Sequence, residues 1–265
     1  RAFTVFQIFF MISRYTWCIH ILPHILFSRK DTYMTISHPL TRLQKFRLLS
    51  LIPIYFMIVG LFLQPVTEII PGLITIIKEP DFLITDYFLI GGIGTSFINA
   101  GLLTLLCIWT IYFLGMEMDG HTITSSCLMF GFSLFGKNLL NIWAILLGVY
   151  LYSHYHKKHM SSYIYIGFYG TSLSPIITQI MYISDLPYAV RLIASLAVGL
   201  IIGFVLPPLS THVHYAHKGY SLYNVGFSSG IIATVIVSVL KSFGITTESR
   251  LIWSVGNNTL FAVLL

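Results

Sequence analysis

Lys137 is the residue that first invites a chemical reading. In the run Gly136-Lys137-Asn138-Leu139-Leu140-Asn141 it is the single Asp, Glu, Lys or Arg between Asp119 and the histidine-rich stretch that starts at His154. A lysine inside an apolar run is by default a site candidate, because burying its charge is costly unless something useful compensates it. Beside it, Asn138 and Asn141 supply amide donors and acceptors that suit a small polar or anionic solute. Asn99, Asn224, Asn257 and Asn258 offer the same chemistry elsewhere in the chain, and these seven residues form the expected substrate pathway.

Other constellations are weaker. His154, His156 and His159 share their spacing with His212, His214 and His217, and imidazoles suit zinc, copper and nickel. The flanking sequence gives neither group an obvious supporting carboxylate, so no metal or other cofactor is expected. Gly226-Phe227-Ser228-Ser229-Gly230 fits the G-x-S-x-G pattern of a serine nucleophile, but it lies in an apolar run. Gly226 with Gly230, and Gly199 with Gly203, read better as faces for close helix packing. Cys18, Cys107 and Cys127 lie in apolar runs with no paired spacing, so they read as packing residues. Gly91 to Ser96 has no preceding strand and no following G-K-[ST], which removes the nucleotide-loop reading.

The elements that must position these residues follow from composition. Apolar residues make up 56% of the chain, charged ones only 9%, and the mean hydropathy is +0.83. Soluble domains carry about a quarter charged residues, so membrane lipid is the solvent that fits. The net charge of +6 comes without a dense basic tract, which leaves no case for nucleic acid. The predicted class is all-α, a polytopic transmembrane bundle, with clear spans at 48–63, 87–114, 162–183, 192–209 and 220–240.

Residues 1–33 are expected to be a leader or an artefactual extension, and 34–265 a transmembrane domain truncated at its C-terminus. Residues 122–152 hold two short apolar pieces around Lys137. They read as one span with a buried lysine, as two tilted spans, or as a pair of half-helices that enters and returns on one side. Arg42, Lys45 and Arg47 before the first clear span, Lys157 and Lys158, and Lys218 are all cytoplasmic by the positive-inside bias only if this region crosses an even number of times. That disfavours the single span.

The sequence also repeats itself. Phe97-Ile98-Asn99-Ala100-Gly101 matches Leu222-Tyr223-Asn224-Val225-Gly226, and Gly136-Lys137-Asn138-Leu139-Leu140 matches Gly256-Asn257-Asn258-Thr259-Leu260. An odd number of crossings between the copies makes them an inverted repeat, whose broken or re-entrant helices meet near the midplane. With Asp86-Tyr87, Gly91-Gly92-Ile93-Gly94, Asn99-Ala100-Gly101, Phe135-Gly136-Lys137-Asn138 and Asn141-Ile142-Trp143 in order, the chain resembles the polytopic membrane family known as domain of unknown function number 1576. Leu206-Pro207-Pro208 and Tyr223-Asn224-Val225-Gly226-Phe227 extend the resemblance, which runs from about Met34 to the end. It implies a bacterial cytoplasmic-membrane protein with a longer C-terminal part, and it implies no activity.

The leading expectation is therefore a transporter or channel for a small polar or anionic solute, and not an enzyme. An intramembrane serine hydrolase using Ser228 or Ser229, or a scaffold or sensor that moves nothing, are the competing readings.

Overall fold

The computed structural model describes residues 40–80, 84–182, 187–217, 224–244, 251–252 and 254–264. The expectations for residues 1–33, Met34, Cys18 and Lys218 fall outside them, as do the side chains of His214 and His217. The chain divides into two units, of which Arg1–Leu40 is almost wholly outside the described residues and Thr41–Leu265 holds the fold.

The second unit is all-α, as composition dictates. Helix α1 (Arg42–Leu63) opens on a capping box in which Thr41 and Gln44 satisfy each other's backbone N–H. Gln64 and Pro65 are extended and turn the chain into the short α2 (Val66–Lys78), where the sequence suggested only a loop. Then come the one-turn α3 (Tyr87–Ile90), α4 (Ile93–Phe113), α5 (Gly120–Phe132) and α6 (Trp143–Tyr155). The expected span at 162–183 is broken into α7 (Ile164–Gly170), a 3-10 turn at Thr171–Leu173, and α8 (Ser174–Met181). Helices α9 (Tyr188–His217), α10 (Asn224–Ser242) and α11 (Asn258–Leu264) complete it. The sole extended pairing among the described residues is a parallel ladder joining Ile84–Thr85 to Leu251–Ile252, too small to form a layer.

Four of these helices are long and apolar enough to cross a membrane: Arg42–Leu63, Ile93–Phe113, Tyr188–Val213 and Asn224–Ser242. Their outward faces carry exposed Phe62, Ile193 and Val235, which suit lipid and not water.

Contacts fix the directions of travel. Arg42 donates from Nε to Met116 O (2.8 Å) beyond the C-terminus of α4, whereas Gly60 abuts Gly94 at its start, so α1 and α4 are antiparallel. Cys107 faces Ser125, and Asn99 reaches Ser133, so α5 runs back along α4. Tyr165 bonds Asp119 and Thr122 at the head of α5, while its near neighbour Tyr163 packs on Tyr152 near the end of α6. The α5–α6 pair therefore starts and finishes at the same end of the fold. Each member has 13 residues, about 20 Å of helix, short of the roughly 30 Å hydrocarbon core. Of the three sequence readings of this region, the single continuous span is removed, and the two short helices form a hairpin.

Two apolar cores are visible. The first joins Phe46, Leu103, Cys107, Ile108 and Met129 with Ile164 and Phe168 of α7. The second joins Ala144 and Ile145 of α6 with Leu173, Ile177, Ile202, Leu206 and Ile232. Helices α6 and α9 cross so closely that a Cβ on Gly203 would lie 2.1 Å from Ile145 O, and one on Gly148 would lie 2.3 Å from Leu200 O. Both interrupted segments, α5–α6 and α7–α8, pass from the first core to the second at their interruptions.

Candidate functional site

The site is built where these two interruptions meet. Gly136 has φ +95°, a conformation glycine adopts freely, and it ends the turn that follows α5. A Cβ there would lie 2.9 Å from Pro175 Cγ, so the hairpin tip rests directly on the start of α8. Backbone polar groups at such a break must be paired within the protein if lipid surrounds it. They are. Ser133 O and Lys137 O both accept from Asn99 Nδ2, at 2.7 and 2.9 Å. Leu134 O accepts from Tyr87 N–H, Gly136 O from Asn141 Nδ2, and Leu139 O from the Trp143 indole. Asn138 and Asn141 cap each other, with Asn141 Oδ1 accepting from Asn138 N–H and Asn138 Oδ1 from the N–H groups of Leu140 and Asn141. Outward, the same turn shows Phe135, Leu140 and Trp143 to the surroundings.

Lys137 points the other way and is only 1% exposed, which rules out a solvated position at a surface turn. Its Nζ lies 3.4 Å from Phe168 O at the end of α7, 3.9 Å from Met129 Sδ and 5.0 Å from the Phe132 ring centroid. Phe168 O already accepts from Thr171 Oγ1 at 2.7 Å, so the ammonium holds a shared acceptor, a thioether and a ring face. Among the described residues the one ion pair joins Arg42 and Glu117, and no carboxylate lies within ion-pair distance of Lys137. Two buried polar atoms at the breaks, Asn138 Nδ2 and Ser174 Oγ, have no hydrogen-bond partner. A buried, unpartnered donor calls for a water, an ion or a ligand.

Of the seven residues expected to line a pathway, the structure brings four together, Asn99, Lys137, Asn138 and Asn141. It places the other three elsewhere. Asn224 donates to Ser210 O and Oγ on α9 and not toward Lys137. Asn257 donates to Ser254 Oγ (3.3 Å), and Asn258 is exposed at the start of α11. The helices bearing Asn99 and Asn224 do run in opposite directions, and Gly256 repeats the left-handed backbone of Gly136 with φ +93°. The second copy nonetheless brings no broken tip to Lys137, because that place is taken by the Thr171–Ser174 break. The run Gly170-Thr171-Ser172-Leu173-Ser174-Pro175, small and hydroxylated before a proline, was the available signal.

Gln64 was also missed. The start of α4 is broken at Gly92 (φ +89°), and side chains of the protein satisfy the groups freed there. Gln64 Nε2 donates to Gly91 O (3.1 Å), and Gln64 Oε1 accepts from Thr95 N–H (3.0 Å). Asp86 adds a second clasp: Oδ1 caps α3 through Phe88 N–H, while Oδ2 accepts from Ser254 N–H and Oγ.

The weaker constellations gain little. His154 and His156 pack on Tyr150 and Tyr152, and His212 Nδ1 lies 2.8 Å from Pro208 O in its own helix. Among the described residues no three His, Cys, Asp or Glu side chains converge. Ser228 Oγ donates to Asn224 O one turn earlier, and Ser229 Oγ is buried without a partner, so neither meets a histidine.

Compared with curated proteins and with solved structures, the chain matches none. One family model matches residues 66–242, a stretch that holds both helix breaks, Asn99, the whole Lys137 turn and Asn224, and leaves out Asn257 and Asn258. That match spans well over half of the sequence and agrees with the ordered motifs around Gly91, Asn99 and Lys137, so the chain belongs to the family described as "Protein of unknown function (DUF1576)".

Proposed function

We propose that this membrane protein is a multi-pass transporter or channel of the cell membrane for a small polar or anionic solute, with Lys137 as the group that meets it. One observation carries the reading: a fully buried lysine, without a carboxylate partner among the described residues, at the meeting of two helix breaks. Broken helices at a packing seam recur in transporters because unwound backbone and helix ends can bind a solute that side chains alone would hold less specifically. Asn138 Nδ2 and Ser174 Oγ provide the neutral hydrogen bonds, and Asn99 holds the turn that carries Lys137. Basic residues Arg42, Lys45, Arg47, Lys157 and Lys158 gather at one end, against Lys78, Arg191 and Lys241 at the other, which favours the first end as cytoplasmic.

The complete chain in lipid vesicles tests this with a panel of chloride, nitrate, phosphate, acetate and neutral polyols. Wild type moves at least one of them, and Lys137→Met slows that flux by about tenfold or more, the worth of one charged hydrogen bond. Lys137→Arg, which keeps the charge, separates loss of chemistry from loss of folding. Flux no greater than in empty vesicles, or undiminished in Lys137→Met, overturns the reading. A non-transporting scaffold or sensor is the second reading, favoured by the tight packing of Lys137 and Asn99 against protein; it expects no flux across the whole panel.

A further inference from the structure

Between Lys137 and the Arg42 end of the fold runs a file of polar side chains that the solute site does not use. It starts at exposed Asp119, whose Oδ1 accepts from Tyr165 OH at 3.0 Å and from Thr122 Oγ1 at 3.0 Å. Tyr165 OH and Thr122 Oγ1 are themselves 2.7 Å apart. One turn further along α5, Ser125 and Ser126 donate to Thr122 O at 3.1 and 2.7 Å. Ser125 Oγ then lies 3.9 Å from Cys107 Sγ, and Met129, the next α5 residue on this face, touches Lys137 Nζ. Thr122, Ser125, Ser126 and Cys107 are all buried, so the file is enclosed from its mouth to the lysine.

The spacing 122, 125, 126, 129, 133 puts one face of α5 toward α4 and α7. Hydroxyls on an inward helix face in an apolar protein need a reason, since alanine would pack there without a polar group to satisfy. The titratable groups on the elements around Lys137 are Cys107 on α4, Cys127 on α5 with Asp119 and His121 at its head, and Tyr165 and Tyr169 on α7. Helix α6 presents none before Tyr150.

We infer that the proton is the coupling ion, taken up on Lys137 Nζ and delivered from the Asp119 end through Tyr165, Thr122, Ser125 and Cys107. The inference rests on the transport reading, because an uncompensated lysine charge and an arriving anion favour each other, and that coupling is reciprocal. Each hydroxyl gains one proton and passes one on. Ser125 Oγ leaves Thr122 O, turning first to Thr122 Oγ1 and then to Cys107 Sγ, which carries the proton past the intervening carbonyl. The lone pair of Nζ receives the last proton from the Cys107 thiol once the lysine swings off the Met129 thioether, which holds no proton to give. No oxidation or reduction is involved.

The test uses the full chain with 15N-labelled lysine side chains in bilayers, read by solid-state NMR without any solute, with the Lys137 signal assigned by its loss in Lys137→Arg. The signal is expected to change between charged and neutral forms within the range from about pH 5 to about pH 10. Deuterium exchange at Nζ is expected to slow by about tenfold in Tyr165→Phe and in Ser125→Ala, with the titration midpoint unmoved. A Lys137 that stays charged over the whole range overturns the inference, and so does unchanged exchange in both file variants. Flux with a permanently charged Lys137 leaves the transport reading standing and removes this one, whereas titration in a protein that moves no solute removes coupling with it.

Discussion

Lys137 is held in place at a cost to stability, and that cost is measurable. A buried charge without a partner is less stable than an apolar side chain of similar volume, so Lys137→Met is expected to raise stability by about 1–4 kcal/mol in detergent unfolding while flux falls. A variant less stable than wild type would mean that the lysine serves packing. Asn99 is the opposite case. Its Nδ2 is the partner of two buried carbonyls, Ser133 O and Lys137 O, so Asn99→Ala is expected to cost about 1–3 kcal/mol. Asn224, half-exposed and bonded across one helix pair to Ser210, is expected to cost about 1 kcal/mol by the same measurement. Asp119 gives a pH signature outside the lipid. Burial pushes its carboxyl up, but the Thr122 N–H and the Tyr165 and Thr122 hydroxyls outweigh that and hold it below its ordinary 3.8. A lowered folded-state value stabilises above the unfolded value and is lost as pH falls through the folded one. The stability advantage of wild type over Asp119→Asn is therefore expected at neutral pH and to vanish in acid below about pH 4, as followed by thermal unfolding across pH.

At the scale of elements, the two cores are locked by glycine contacts and joined by broken helices. Where α6 and α9 cross, a side chain at Gly203 would collide with backbone, and backbone cannot step aside. Gly203→Val is expected to abolish the folded fraction seen by size-exclusion chromatography in detergent. Gly230→Val on α10 is expected to leave that fraction intact, since nothing lies within 4 Å of the added Cβ. Equal tolerance at both positions would mean that the α6–α9 crossing does not hold the second core. The contrast also shows the limit of reading packing from spacing alone. Gly199 and Gly203 meet Ala144, Ile145 and Gly148 as their four-residue spacing suggests, whereas the identical spacing at Gly226 and Gly230 leaves Gly230 open. Spacing marks a face on which a neighbour can sit close, and only the fold decides whether a neighbour arrives.

For the whole molecule, the decisive feature is that α5 and α6 begin and end together. Single cysteines at Glu117, Lys158 and Glu79 in a cysteine-free background are expected to react with an impermeant maleimide from one side for the first two and from the opposite side for the third. Labelling of Glu117 and Lys158 from opposite sides would turn the hairpin into a span. Much of this was legible beforehand. Low charge and long apolar runs determined an all-α membrane protein, because lipid requires helices to satisfy their own backbone, and the isolation of Lys137 with its asparagines marked the turn that the fold buries. Charge along the chain also disfavoured a single span around Lys137. What the tertiary structure alone decided is which break faces which. The repeat pointed to Asn257 and Asn258 as partners of Lys137, but contacts between distant segments depend on how two cores close on each other, and that closure set Phe168 and Ser174 there instead. Gln64, Asp86 and the contacts that tie Tyr165 and Cys107 to α5 were unreadable for the same reason, since each works through a partner 18 or more residues away that no local pattern records.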